Sequence, residues 1–245
     1  MKQFFNDIEG FQILIVGLFL SLSLVLSTKI VSNTLSRSGI EVTGSAVDVV
    51  KSDSAAWDLA VTTAAASKKL AFEKLTTDIK TVTDYLKEKG FVDSEIELQN
   101  TDAYPVFKKS PETGESLSAV DHFETSQIIR VTSSNIQLVK EASLDSEKLL
   151  NKGVDLRSNP PAYFYNKLGD LKIKLLNKAS EDAKRRAQAM LKSTGNHVGK
   201  IKSVKTGVFQ ITPPTSTDVS DYGYYDTSTI DKKVTAVTQV TFSIK

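Results

Sequence analysis

Along the chain the apolar positions form three kinds of run: one long and unbroken, several alternating every second residue, and several recurring every three or four. The unbroken run is Phe11–Leu26, FQILIVGLFLSLSLVL, inside a window with no charge between Glu9 and Lys29. A helix needs about 20 such residues to cross the hydrocarbon core, and a bilayer offers its backbone no partner but itself. The pattern predicts an N-terminal transmembrane anchor over residues 1–31, with Phe11, Ile13, Leu14, Ile15, Val16, Leu18, Phe19, Leu20, Leu22, Leu24, Val25 and Leu26 in lipid. The competing readings are a cleaved signal peptide and a buried soluble helix. Against cleavage stand Asp7 and Glu9 beside Lys2 in the leading segment, and the lack of alanine in STKIVSNT after Leu26. Lys2 on one side and Lys29 and Arg37 on the other do not decide orientation, which leaves a short N-terminus inside and the domain outside as the default.

After a small polar linker at residues 32–39, the periods begin to switch. Ile40–Lys51 is rich in β-formers, with Gly44 a bulge or close approach. In Ala55–Ala64, Trp57, Leu59 and Val61 alternate with Asp58, Ala60 and Thr62, which predicts a strand paired to the previous one through Ser52-Asp53-Ser54. Ala71, Leu75, Ile79, Val82 and Leu86 then recur at three and four, a helix stopped by Gly90. Ile96–Val106 and Val120–Ser133 read as a long hairpin around Pro111 and Gly114. Ser134 or Asn135 caps a helix carrying Ile136, Val139, Leu144, Leu149 and Leu150, and Gly153 ends it. Val154–Tyr165 reads as a strand that Pro160 and Pro161 confine to an edge or break. The clearest helix is Leu168–Thr194, with Leu168, Leu171, Leu175, Ala179, Ala183, Ala187, Met190 and Thr194 on one stripe. Val198–Ile211 and Val234–Ile244 complete the strands. This order implies an α+β fold of antiparallel sheet packed with about three helices. The halves share a rough strand–helix–strand–strand logic that leaves duplication open, with no residue-level repeat.

Composition narrows the classes of function. Roughly 210 residues after the apolar run are enough for one large or two small domains with a real core. Net charge is +2, from 31 basic and 29 acidic residues, and no basic block stands out, which argues against a nucleic-acid binder. With no cysteine, disulfides, thiolate metal sites and cysteine nucleophiles are excluded.

IEVTGSAVDVVKSD near the start, and the pattern of Ala179, Asp182, Ala183, Arg186, Ala187, Met190, Gly195, Gly199, Lys200, Ile201 and Val204, resemble the SIMPL-domain family. The tail VTAVTQVTFSIK resembles that family's closing strand, and the likeness runs from about Ile40 to Lys245. It implies an α+β fold over 40–245, a tendency to oligomerise, a bacterial periplasmic or envelope setting, links to stress tolerance, and no assigned catalytic residues. With the anchor, it implies a single-pass protein of the bacterial inner membrane whose domain lies in the periplasm. Ser52 departs from the proline many relatives carry there.

Candidate chemistry is sparse. His122 and Glu124 share a strand face but are too few to hold a metal. His197, between glycines, reads as a partner for a helix C-terminus. Glu181-Asp182 and Arg185-Arg186 read as solvated helix faces, and no nucleophile elbow, phosphate loop or dinucleotide fingerprint is present. No cofactor or metal is expected. One segment stands out: Thr212–Ile230, a long polar connection with Asp221, Tyr222, Tyr224, Tyr225 and Asp226. Connections of that length are functional or disordered, and tyrosines are enriched at interfaces; a contact, disorder and a ligand site are its three readings. The sequence thus points to a non-enzymatic, membrane-anchored envelope protein that assembles with itself, or alternatively to a binding module for an envelope partner through that loop.

Overall fold

The computed structural model describes residues 16–28 and 39–245. Residues 16–28 form helix α1. These thirteen described residues are fewer than the roughly 20 that a helix needs to cross the hydrocarbon core. Among the described residues, no helix is long and apolar enough to cross a membrane, so the expected transmembrane element is overturned. On α1 the hydroxyls of Ser21, Ser23, Ser27 and Thr28 each bond a carbonyl three or four residues back. Val16, Leu18, Phe19, Leu20, Leu22, Leu24, Val25 and Leu26 lie on α1 and are exposed. Phe11, Ile13, Leu14 and Ile15 lie outside the described residues.

From Gly39 the elements run β1 (Gly39–Lys51), β2 (Ser54–Ala65), α2 (Lys68–Lys89), β3 (Ile96–Lys109), β4 (Ser116–Ser133), α3 (Ile136–Asp145), β5 (Leu156–Ser158), β6 (Ala162–Phe164), α4 (Leu168–Lys192), β7 (Val198–Thr206), β8 (Gln210–Thr212), β9 (Tyr224–Tyr225) and β10 (Asp231–Ile244). The expected α+β content is present, in two sheets. One has the order β1-β10-β8-β9 with β7 also on β10; the other is β3-β4-β2-β5 with β6 also on β2. Strands β1 and β2 therefore belong to different sheets, against the expected hairpin. Their linker shows why: Ser52 N–H donates to Ile230 at 2.9 Å and Asp53 N–H to Phe164 at 2.8 Å, so neither closes a turn between the strands. The Ser52 hydroxyl also donates to Ile230, at 3.0 Å. A proline here would lose the first bond for want of an N–H.

The chain divides into two compact units. The larger comprises Gly44–Asp182 and Thr206–Thr238. Its main core follows from the alternation of β2: Trp57, Leu59 and Val61 are buried against Leu75, Val82 and Leu86 of α2 and Ile129 and Val131 of β4. Ser67 caps α2 by accepting from Leu70 N–H, and Gly90 ends it in the left-handed region at φ 106°. Within α3 the expected apolar face is only half realised. Val139 and Leu149 are buried, but Leu144 and Leu150 are exposed. Leu144 lies five residues after Val139, off its face at about 100° per residue, and Leu150 follows the buried Leu149 in the 3-10 segment Ser146–Lys152. The two prolines act as expected, splitting the single strand read there into β5 and β6, both antiparallel edge partners of β2. Likewise the strand expected over Val198–Ile211 is two, β7 and β8. A second cluster joins Leu171 and Leu175 of α4 to Ile211, Val234 and Ala236.

The smaller unit takes in the described residues up to Thr43, with Ala183–Lys205 and Gln239–Lys245. Ala183 and Ala187 of α4 pack on Val42, Val240 and Phe242. The next buried position four residues on is Leu191 rather than Met190, which is exposed. Gly199 lies against β10, where a Cβ would sit 2.8 Å from the Ser243 carbonyl oxygen. Gly199→Ala is expected to cost about 1–3 kcal/mol by overpacking; an unchanged urea midpoint would show that β7 yields freely.

Candidate functional site

The long connection before β10 is built rather than loose. Its entry is held by Gln210, whose side-chain amide donates to Ser220 O at 2.6 Å while its oxygen accepts from Ser220 N–H at 3.3 Å. Gly223 turns the chain at φ 86°, a conformation glycine adopts without steric cost. The chain then returns as β9, pairing Tyr224 and Tyr225 in parallel with Gln210 and Ile211 of β8.

At the exit sits a buried ion pair. Asp226 is 4 % exposed and Lys232 fully buried. The Asp226 carboxylate accepts from Ser228 N–H and hydroxyl at 2.9 and 2.7 Å, and from Thr229 N–H at 3.2 Å and its hydroxyl. The Lys232 ammonium donates to the Asp226 and Thr229 carbonyls at 2.6 and 2.8 Å and lies 3.5 Å from the carboxylate. Burial pushes the Asp226 carboxyl up, but the Thr229 and Ser228 bonds and the Lys232 charge outweigh it and hold it at about 2. Burial pulls Lys232 down against the opposing pull of Asp226. Each charge is thus compensated within the turn, which is what a buried pair requires. Tyr163 N–H adds a bond to Thr227 O at 2.7 Å.

On this base the five expected contact residues separate. Tyr222 is 98 % exposed and Asp221 is exposed beside it. Tyr224 and Tyr225 are about half covered, and the Tyr225 hydroxyl accepts from Tyr165 N–H at 3.4 Å. Asp226 faces inward and holds the loop instead of a partner. Val219, which sequence reasoning passed over, is 82 % exposed at the same tip. Lys232 was also missed, although its position was readable: it continues the inward parity of Val234, Ala236 and Val240 along β10.

The other candidates take structural roles. His122 Nδ1 lies 3.0 Å from Asp121 and Nε2 3.3 Å from Glu124, and Tyr104 donates to Glu124 at 2.7 Å. Asp121 and then Glu124 raise the histidine pKa, favouring imidazolium. Among the described residues, no group of three or more histidines and carboxylates is placed to hold a metal. His197 exchanges backbone bonds with Lys245 at 2.8 and 2.9 Å. Asp182, expected on a solvated face, accepts from Ser45 N–H at 3.0 Å.

Two sheets with helices and a tied tyrosine loop define an α+β protein whose distinguishing surface is that loop. The chain belongs to the SIMPL family, described as a protein of unknown function (DUF541), which it matches over residues 40–242. No curated protein matches it.

Proposed function

We propose that the chain is a non-enzymatic protein of the bacterial cell envelope that assembles into a homo-oligomer in the periplasm, in the setting of stress tolerance that the family resemblance suggests. The observation that carries this reading is Tyr222, 98 % exposed at the tip of a loop whose base is pinned by Asp226 and Lys232. An exposed tyrosine on a pre-ordered base is ready for contact, because little loop entropy remains to be lost on docking, and tyrosine is enriched at interfaces. Val219 beside it and Val47 and Val49 on β1 add exposed apolar surface.

Sedimentation of the full chain in mild detergent over a wide concentration range tests the reading. A particle much larger than the 26.8 kDa chain is expected, and Tyr222→Ala with Val219→Asp should shift it to smaller species. A monomer throughout rejects assembly. A second reading, a binding module for an envelope protein, rests on the same loop. It gains if these variants leave the particle intact yet abolish capture of a co-purifying partner. Deleting the whole loop would not discriminate, since it removes Asp226 and strands Lys232 in the interior.

A further inference from the structure

We propose that the outward face of the β3-β4-β2-β5 sheet is a binding site for a neutral oligosaccharide. Register fixes which side chains share this face. Trp57, Leu59 and Val61 point into the core, so Asp58, Ala60 and Thr62 point out. Opposite them on β4 stand Arg130, Ile128 and Ser126, and on β5 Arg157 lies across from Ala60. Ala60, Thr62 and Ser126 are short, so the face dips between longer neighbours into a cavity of about 640 Å³. Small-molecule sites fall at roughly 300–1,000 Å³.

A bulge in β3 supplies the far wall. Leu98 stands opposite Ile129 and Thr101 opposite Gln127, so Gln99 and Asn100 together face the single residue Ile128. The extra residue reverses the alternation. Glu97 points outward before it, and Asp102 and Tyr104 point outward after it, opposite Ser126 and Glu124. Without the bulge both would turn to the other face. The Gln127 amide donates to the Gln99 carbonyl at 2.6 Å and holds the bulge. Tyr104, 45 % exposed, is oriented by its 2.7 Å bond to Glu124.

The lining selects the ligand by chemistry. Glu97 and Asp102 oppose Arg157, so there is no single-sign field to gather a polyanion or polycation. Leu98, Ile128 and Tyr104 are the sizeable apolar bodies in the lining, and polar side chains outnumber them, which disfavours a lipid chain. What remains is a set of carboxylates, amides and a guanidinium that donate and accept in pairs, beside one aromatic ring with an apolar body. Vicinal hydroxyls of a pyranose fit such pairs, and its C–H face fits the ring.

Titrating the full chain with maltotetraose, cellotetraose and chitotetraose, by calorimetry and saturation-transfer NMR, tests the site. At least one should bind, and Tyr104→Ala and Arg157→Ala should each weaken it about tenfold or more. Tyr222→Ala, off this face, should leave the affinity unchanged, which separates the site from assembly. Deleting Asn100 should abolish binding by turning Asp102 and Tyr104 away; circular dichroism checks its fold, and the point variants carry the test if it fails to fold. Failure of all three sugars at millimolar concentration, or binding indifferent to Tyr104→Ala and Arg157→Ala, would overturn the proposal.

Discussion

Asp226→Ala is expected to destabilise the chain by about 3–5 kcal/mol, because it leaves the Lys232 ammonium buried without its counter-charge. The lost hydrogen bonds from Ser228 and Thr229 compound the effect. Lys232→Met should cost less, since a side chain of similar length replaces the cation and Asp226 keeps its hydroxyl and amide donors. The pH dependence carries a definite sign. A carboxyl held at about 2 when folded, against an ordinary 3.8, contributes stability that is full above the ordinary value. That contribution is lost as pH falls through about 2. Lys232 acts oppositely: its lowered pKa is a cost at neutral pH, relieved as pH rises through its folded value. Urea unfolding of wild type and Asp226→Asn should therefore differ most at neutral pH and converge towards pH 2. Parallel curves at every pH would mean the pair contributes nothing. Loss of the clasp should also loosen the Tyr222 tip, measurable as faster amide exchange from Ser220 to Thr229.

Trp57→Ala is expected to cost about 3–5 kcal/mol, the range for a large aromatic removed from a close-packed interior. Trp57 is 1 % exposed, and its indole N–H donates to the Ser158 hydroxyl at 3.1 Å on β5. The substitution therefore opens a void under α2 and removes the side-chain tie to an edge strand of three residues. Trp57→Phe should recover most of the packing but not that bond, so its loss should be smaller and should show first as exchange at Leu156–Ser158. Denaturant midpoints for the three proteins check the ranking. A Trp57→Ala midpoint equal to wild type would mean that this core is not the one holding the larger unit together.

How much of this was legible in the residues depends on how local the cause is. Trp57, Leu59 and Val61 announce a half-buried strand through alternation alone, and Ala71 through Leu86 announce a helix, since each pattern is set by one element's own geometry. The partner of a strand is not local. The pairing of β1 with β10 rather than β2 turns on bonds from Ser52 and Asp53 to Ile230 and Phe164, far along the chain. The long apolar run announces its hydropathy, but the described helix within it is thirteen residues long, too few for a span. In the loop, tyrosine content pointed to a contact, but only the fold shows that Asp226 works inward and Tyr222 outward. The β3 bulge breaks the alternation that strand reading assumes, so nothing in that segment's pattern predicted that Asp102 and Tyr104 join Glu97 on one face.

The split of β5 from β6 at Asn159-Pro160-Pro161 also bears on how the protein survives crowding. A free sheet margin templates any extended chain that drifts past, and fibres begin that way. Here the margin beside β2 is two stretches of three residues each with a kink between them, and neither proline can donate a backbone bond. An incoming strand finds no continuous row of partners there. Two rigid rings at one corner thus blunt this margin of the sheet against end-on growth, while β3 forms the opposite margin.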